Sequence, residues 1–280
     1  MPDWSTILRR RPDGRPRIMG VLNVTPDSFH SDSRIQGVDS ALESVAKMLN
    51  EGVDWIDVGG ESTRPGAEPV EVSEEKQRVI PIIEAIRKAH PEIAISVDTR
   101  QPEVARIAIE SGANLINDVS GLRDPKMAEI VLTTGAGVCI MHMQGEPQSM
   151  QNMPNYSQAR TDVANELLQR ANDLIESGHP PERICLDPGI GFGKRLEDNL
   201  DLLSDADWLR GPHNLPILWG VSRKSMFRDL LQRNETDERL AGTLGVAAHA
   251  QNVGVDILRV HDVAEHVDLG RTLAELGARK

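Results

Sequence analysis

The chain has 280 residues, 39% of them apolar, which is ample for a core, and a formal net charge of −12. That acidity argues against nucleic-acid or anionic-membrane partners, which want a basic field, so any anion bound here must be held by local cations. Two cysteines, Cys139 and Cys185, lie in apolar runs and read as buried thiols of a reducing compartment. No stretch approaches the roughly 20 apolar residues of a membrane span, and residues 1–16 carry no signal-peptide apolar core, so a soluble cytoplasmic protein is expected.

In chain order, residues 1–16 read as a lead-in segment. Its basic cluster, Arg9 to Arg11 and Arg15, reads as solvated surface, with a phosphate-binding arm as the other possibility. A first strand is predicted over 17–22, ending at Asn23; Pro26, with no N–H for a ladder, stops it from continuing. The apolar face Val38, Leu42, Val45 and Leu49 predicts a helix over 38–51, closed by Gly52. Strand two follows over 53–58. Ser73 is expected to cap the next helix, with Glu74 and Glu75 in the first turn, a stripe of Val79, Ile82, Ile83 and Ile86, and a kink at Pro81. Strand three, 93–97, leads to Asp98; Pro102 opens a helix that Gly112 closes. Strand four, 113–116, leads to Asn117, and Pro125 opens another helix. Strand five, 137–141, leads to His142 and a long polar loop, then a helix over 157–177. Strand six, 183–186, leads to Asp187; strand seven, 216–221, to Ser222-Arg-Lys-Ser225; strand eight, 256–260, to His261. A last helix is expected over 263–276.

Eight strand–helix pairs in this length are the arithmetic of a (β/α)8 TIM barrel occupying 17–280 as one domain. The competitor is a doubly wound open sheet, which concentrates its site at a switch crevice. Here polar residues follow all eight strands, and only a closed barrel brings eight C-terminal strand ends to one mouth.

Asp57, Asp98 and Asp187 each end an apolar strand, with Asn23 and Asn117 at equivalent places. One such aspartate could be a helix cap; three with two amides suit a ligand rich in N–H groups, because a carboxylate accepts two parallel N–H bonds. A divalent metal is the alternative, without the His-rich pattern of zinc. Cations come late: Lys224 after strand seven, Arg259 and His261 on one face of strand eight, where barrels often hold phosphate. Ser225 opens a helix whose free N–H groups favour a carboxylate or phosphate. The loop Gly59-Gly-Glu-Ser-Thr-Arg-Pro-Gly66 offers hydroxyls and Arg64 to an oxyanion. Asp187-Pro-Gly-Ile-Gly-Phe-Gly-Lys194 fits neither nucleotide-loop pattern, and reads as a tight turn presenting Phe192 to the mouth.

Together these runs resemble dihydropteroate synthase, the folate-pathway enzyme family inhibited by sulfonamides. The matching motifs are Met19-Gly-Val-Leu-Asn-Val-Thr-Pro-Asp-Ser-Phe29, Asp57-Val-Gly-Gly-Glu-Ser-Thr-Arg-Pro-Gly66, Ser96-Val-Asp-Thr99 and Ile116-Asn-Asp-Val119. Further on come Met141-His-Met-Gln-Gly145, Leu186-Asp-Pro-Gly189, Ser222-Arg-Lys-Ser225 and Arg259-Val-His-Asp262, so the match spans nearly the whole chain in family order. The resemblance implies a homodimeric barrel that joins 6-hydroxymethyl-7,8-dihydropterin pyrophosphate to p-aminobenzoate, releases pyrophosphate and uses Mg²⁺. It implies that Asp98, Asn117, Asp187 and Lys224 grip the pterin, with Met141 packed against it. Asn23 with Mg²⁺, Arg259 and His261 would hold pyrophosphate, helped by Ser62 and Thr63. Ser225 would take the p-aminobenzoate carboxylate, beside Phe192 and Pro65. Asp98, Lys224 and a first-loop aspartate would be catalytic.

One departure stands out. The family's first loop usually continues Phe-Ser-Asp-Gly-Gly, whereas here Phe29-His30-Ser31-Asp32-Ser33-Arg34 is one residue longer and lacks both glycines. Asp32 is the counterpart aspartate. The competing functions are a pterin module presenting methyltetrahydrofolate to a corrinoid protein, and a paralogue that binds pterin without catalysis. Thr63, Arg64, Arg259 and His261 favour the synthase, since only that reaction needs a pyrophosphate subsite.

Overall fold

The computed structural model describes residues 2–24, 34–61, 70–145, 150 and 154–279. Eight parallel strands form one sheet in the order β6-β5-β4-β3-β2-β1-β8-β7. They are β1 (Arg17–Asn23), β2 (Trp55–Gly59), β3 (Ala94–Asp98), β4 (Leu115–Asp118), β5 (Gly137–Met141), β6 (Ile184–Asp187), β7 (Leu218–Trp219) and β8 (Ile257–Val260). The seam between β6 and β7 is drawn together by a parallel bridge between Leu186 and Ile217, with Leu186 N–H donating to the Pro216 carbonyl at 2.9 Å. The expected barrel is what the chain forms, and β7 is its short, weakly paired strand.

Helices alternate with the strands. A short α1 (Trp4–Ile7) precedes β1; α2 (Arg34–Glu51) and α3 (Val72–Ala89) flank β2. Then come α4 (Pro102–Glu110), α5 (Pro125–Thr134) and α6 (Ala159–Glu176), each between successive strands. α7 (Leu196–Leu202) follows β6, α8 (Met226–Leu231) and α9 (Leu240–Asn252) follow β7, and α10 (Val263–Gly277) ends the chain. On α3, Val79, Ile82, Ile83 and Ile86 are fully buried, each burial stabilising the packing by about 1.5–3 kcal/mol. The expected Ser73 cap is corrected: α3 starts at Val72, with Glu71 at the cap position, so Ser73 lies inside the first turn. Pro102 and Pro125 do sit at the first helical positions.

The lead-in segment closes the base of the barrel. Asp3 caps α1 by accepting from Ser5 N–H at 3.1 Å. Leu8 is buried in one cluster with the lowest inward-facing residues, Met19, Trp55, Ala94, Leu115, Cys139, Cys185, Leu218 and Ile257. Trp55 Nε1–H donates to the Ile7 carbonyl at 3.1 Å, pinning the plug in place. Both cysteines are free and buried in this layer, as expected. Of the basic cluster, Arg10 is exposed and Arg15 pairs with the exposed Asp13, while Arg11 is joined by Arg17 of β1 on a buried partner. Arg11 and Arg17 both bond Asp54 Oδ1, at 2.7 and 2.9 Å, and Asp54 Oδ2 accepts from Ile18 N–H, tying lead-in to base.

Candidate active site

Side chains alternate along a strand, so residues two apart share the barrel interior. On the inward face of five strands the sequence turns polar toward the C-terminal end: Trp55 then Asp57; Ala94, Ser96, Asp98; Leu115 then Asn117; Cys185 then Asp187; Ile257 then Arg259. The register sets these tiers beside one another, with Asp57 paired to Ser96, Asp98 to Asn117, and Met141 to Asp187. An apolar plug is thus overlaid by a polar floor at the C-terminal mouth.

Arg259 anchors that floor. Its Nε donates to Asp57 Oδ2 and its Nη2 to Asp98 Oδ2, both at 2.6 Å, while Asn117 Nδ2 donates to Asp57 Oδ2 at 3.3 Å. Asp57 is wholly buried and Asp98 nearly so. Burial alone would pull the Arg259 guanidinium down, but Asp57 and Asp98 outweigh it and hold its pKa above the ordinary value. Burial pushes the Asp98 carboxyl up to about 7 against the pull of Arg259, and likewise raises Asp187. Asp57 Oδ1, Asp98 Oδ1 and Ser96 Oγ are buried without a hydrogen-bond partner. Orphaned buried acceptors are costly, and a ligand bringing N–H groups relieves them.

The turn after β6 shapes one wall. Asp187 Oδ1 accepts from Gly189 N–H at 2.7 Å, and Phe192 N–H returns to the Gly189 carbonyl at 3.0 Å. Gly189 has φ +68°, and a Cβ there would lie 1.8 Å from the His142 carbonyl oxygen, so no other residue fits. Lys194 fastens the turn from behind, donating to the Gly189 and Phe192 carbonyls at 2.9 and 3.0 Å and meeting His142 Nδ1 at 3.0 Å. Burial draws its ammonium down to about 7. Phe192 does face the mouth, with Lys224 Nζ 4.0 Å from its ring centroid. It packs with Met141, Met143, Met150 and Val119 in an apolar wall beside the acids.

The rim is built by β7 and β8. His261 Nδ1 meets Ser222 Oγ at 2.9 Å, and Arg223 grips Asp262 through Nε and Nη2, so the two late motifs form one unit. Arg223 does this at φ +55°, a left-handed conformation that its ion pair holds in place. Ser225 is exposed at the cap position of α8 and its side chain makes no cap bond. Asn23 is exposed at the end of β1.

The structure therefore gathers Asp98, Asn117, Met141, Asp187, Phe192, Lys224 and Arg259 around the floor and wall, with Asn23, Ser225 and His261 at the rim. Asp32, Ser62, Thr63, Arg64 and Pro65 lie outside the described residues. Sequence reasoning counted Asp57 among the acids at the mouth but gave it no role of its own. Its signal was parity with Trp55, which makes it inward-facing, but only the tertiary pairing with Arg259 gives it a role. Lys194 was passed over because its motif is no nucleotide loop; its buried fourfold bonding has no signature in the sequence.

Residues 19–261 match the family described as pterin binding enzymes. A dihydropteroate synthase of Escherichia coli (strain K12) is 44% identical over 266 residues, covering 95% of this chain and 93% of the relative. Among solved structures, the Yersinia pestis dihydropteroate synthase in complex with a sulfonamide drug superposes with TM-score 0.87 at 39% identity, covering 96% of this chain and 97% of the other. The Burkholderia cenocepacia dihydropteroate synthase complexed with 7,8-dihydropteroate does so with TM-score 0.85 at 42% identity, covering 95% and 92%.

Proposed function

The chain belongs to the pterin-binding enzymes as a dihydropteroate synthase of folate biosynthesis, and from that premise we propose how its mouth residues divide the reaction. The enzyme condenses 6-hydroxymethyl-7,8-dihydropterin pyrophosphate with p-aminobenzoate and releases pyrophosphate. The observation that carries the assignment of roles is the ring of buried acceptors, Asp57 Oδ1 and Asp98 Oδ1 among them, lying beside an apolar wall. A pterin supplies both needs, with N–H groups along one edge and a flat ring face. Asp187 and Asp98 take the N–H edge, Asn117 completes it, and Lys224 reaches a ring acceptor over Phe192. Met141 packs on the ring.

The leaving pyrophosphate lies toward the rim. Arg259 spends Nε and Nη2 on carboxylates, and Nη1 remains to meet a phosphate oxygen. His261 and, from the second loop, Ser62, Thr63 and Arg64 assist it. Ser225 receives the p-aminobenzoate carboxylate, with Phe192 and Pro65 lining that pocket. As the bond to pyrophosphate breaks, positive charge grows on the pterin methylene; Asp98 and Asp32 answer it, the neutral amine of p-aminobenzoate attacks, and the surplus proton on its nitrogen leaves to solvent. The Yersinia pestis relative is in complex with a sulfonamide drug, and on this reading the present chain binds one as well.

No group of three His, Cys, Asp or Glu side chains among the described residues could hold a metal alone. Mg²⁺ keeps several waters and leans on substrate phosphates, needing one or two protein oxygens, so the exposed Asn23 amide fits as its ligand. Held there with pyrophosphate, such an ion would supply Lewis-acid neutralisation of the leaving group.

A homodimer also forms part of this reading: Leu200 of α7 and Leu230 and Leu231 of α8 are exposed leucines on neighbouring helices that a second copy would cover. No helix among the described residues is long and apolar enough to cross a membrane, and two free buried thiols suit the reducing cytoplasm where we place it. The deciding experiment is pyrophosphate release with both substrates and Mg²⁺. Release dependent on p-aminobenzoate is expected; no release unless a corrinoid partner is added would replace the synthase by the methyltetrahydrofolate reading.

A further inference from the structure

The lead-in arginines, which the reaction does not use, help to line a cavity on the outer side of β1 and β8, behind the barrel wall from the mouth. It holds about 90 Å³ and lies between the lead-in, the C-terminus of α2, α9 and α10. Its charged lining is Arg11, Arg15 and Arg271 against a single carboxylate, Asp54, and that carboxylate is already engaged by Arg11, Arg17 and a backbone N–H. In a protein of net charge −12 this is a local cationic hollow. Space for several waters is the bulk of one small oxyanion.

A second feature of the lining specifies which oxyanion. His266, on the first turns of α10, bounds the cavity and is 2% exposed. Its Nδ1 lies 2.6 Å from the Asp262 carbonyl. A carbonyl only accepts, so Nδ1 carries the proton. Burial favours the neutral ring by lowering its pKa. Nε2 is then a lone pair, and it is buried with no hydrogen-bond partner. Arginines ask for unprotonated oxygens; a neutral Nε2 asks for an O–H donor. Monohydrogen phosphate offers both on one tetrahedron, whereas sulfate offers only the first.

We propose that this cavity is a binding site for hydrogen phosphate, in which Arg15 and Arg271 donate to its oxygens and His266 Nε2 accepts its P–O–H proton. The site lies outside the barrel wall, between β1, β8 and helices α9 and α10, and is separate from the pyrophosphate subsite inside the mouth. Arg271 is exposed and makes no ion pair among the described residues, so it is free to close on the anion. Arg15 holds the exposed Asp13 through Nε and Nη2, which leaves Nη1 for a phosphate oxygen. It reaches in past Gly270, where a Cβ would lie 3.5 Å from Arg15 Cδ.

The test is a titration of the whole enzyme with inorganic phosphate, followed through histidine ring NMR signals. His266 is assigned by His266→Gln, and His261 serves as the reporter at the mouth. The His266 signal is expected to shift saturably with phosphate. Sulfate at matched ionic strength should bind there at least about tenfold more weakly, the worth of one lost hydrogen bond to a charged group. Arg271→Ala, and separately Arg15→Ala, should weaken the His266 response about tenfold and leave the His261 response unchanged. A His266 signal that stays fixed while His261 responds overturns the site. So does a response to sulfate equal to that of phosphate, or one that both arginine variants leave untouched.

Discussion

At the scale of single residues, the site rests on charges that are individually costly and mutually satisfied. Arg259 lies between Asp57 and Asp98 with both bonds at 2.6 Å. Removing one partner leaves the rest of a buried ion cluster uncompensated, so Asp57→Ala should cost about 3–5 kcal/mol in denaturant unfolding. Asp187 accepts from Gly189 N–H within its own turn, and burial raises its pKa. Asp187→Asn should fold but lose tight pterin binding, by about 1.5–3 kcal/mol for each charge-assisted bond removed. Calorimetry showing unchanged affinity in the folded variant would take Asp187 out of the site. Asp32 is placed in the reaction by its loop sequence. If it answers charge that develops only as the bond breaks, Asp32→Ala lowers kcat by roughly 10²–10³ with little change in substrate affinity. Near-normal kcat in Asp32→Ala, beside a loss in Asp27→Ala, would show that the longer loop has shifted register.

At the scale of elements, rigidity comes from backbone that tolerates no substitution. The turn after β6 needs Gly189 at positive φ against the His142 carbonyl. Gly189→Ala forces a residue with a Cβ into that contact; strain alone is worth about 1–3 kcal/mol, so both the melting temperature and pterin affinity should fall. Helix α3 contributes a different feature. Glu75 is fully buried, both its oxygens lack a hydrogen-bond partner, and burial pushes its pKa from 4.5 up to about 7. Between those two values the folded chain keeps a proton that the unfolded chain has lost. Stability therefore falls as pH rises through this window, and the full penalty is present above about 7. Glu75→Gln should flatten that slope and raise stability above pH 7, by up to roughly 3 kcal/mol. Urea titrations of both proteins across the window measure it; parallel curves would mean that Glu75 ionises normally in the fold.

At the scale of the molecule, the barrel separates its two ends by chemistry: an apolar plug sealed by α1 below, and a polar mouth above. On the proposed reading, pyrophosphate with Mg²⁺ would be the charge around which Thr63, Arg64 and Asp32 gather. Binding of p-aminobenzoate should accordingly be weak to the free enzyme and stronger once pterin and pyrophosphate are present. Equal affinity in the two conditions would contradict that order of assembly.

Much of this was determined by the sequence itself, because strand ends, helix stops and side-chain alternation are local properties. The polar residue closing each apolar run located Asn23, Asp98, Asn117, Asp187 and His261, and eight such runs implied a barrel before any contact was known. Tertiary structure alone decided what depends on two distant segments meeting. Asp57 and Arg259 are 202 residues apart and form one ion cluster. Ser222 and His261, and Arg223 and Asp262, become one rim only when β7 and β8 pair. Lys194 is a structural fastener because three carbonyls converge on it, and Arg11 of the lead-in is drawn inward because Asp54 waits at the foot of β2. Alternation tells which way a side chain points; the closure of the barrel decides what it finds there.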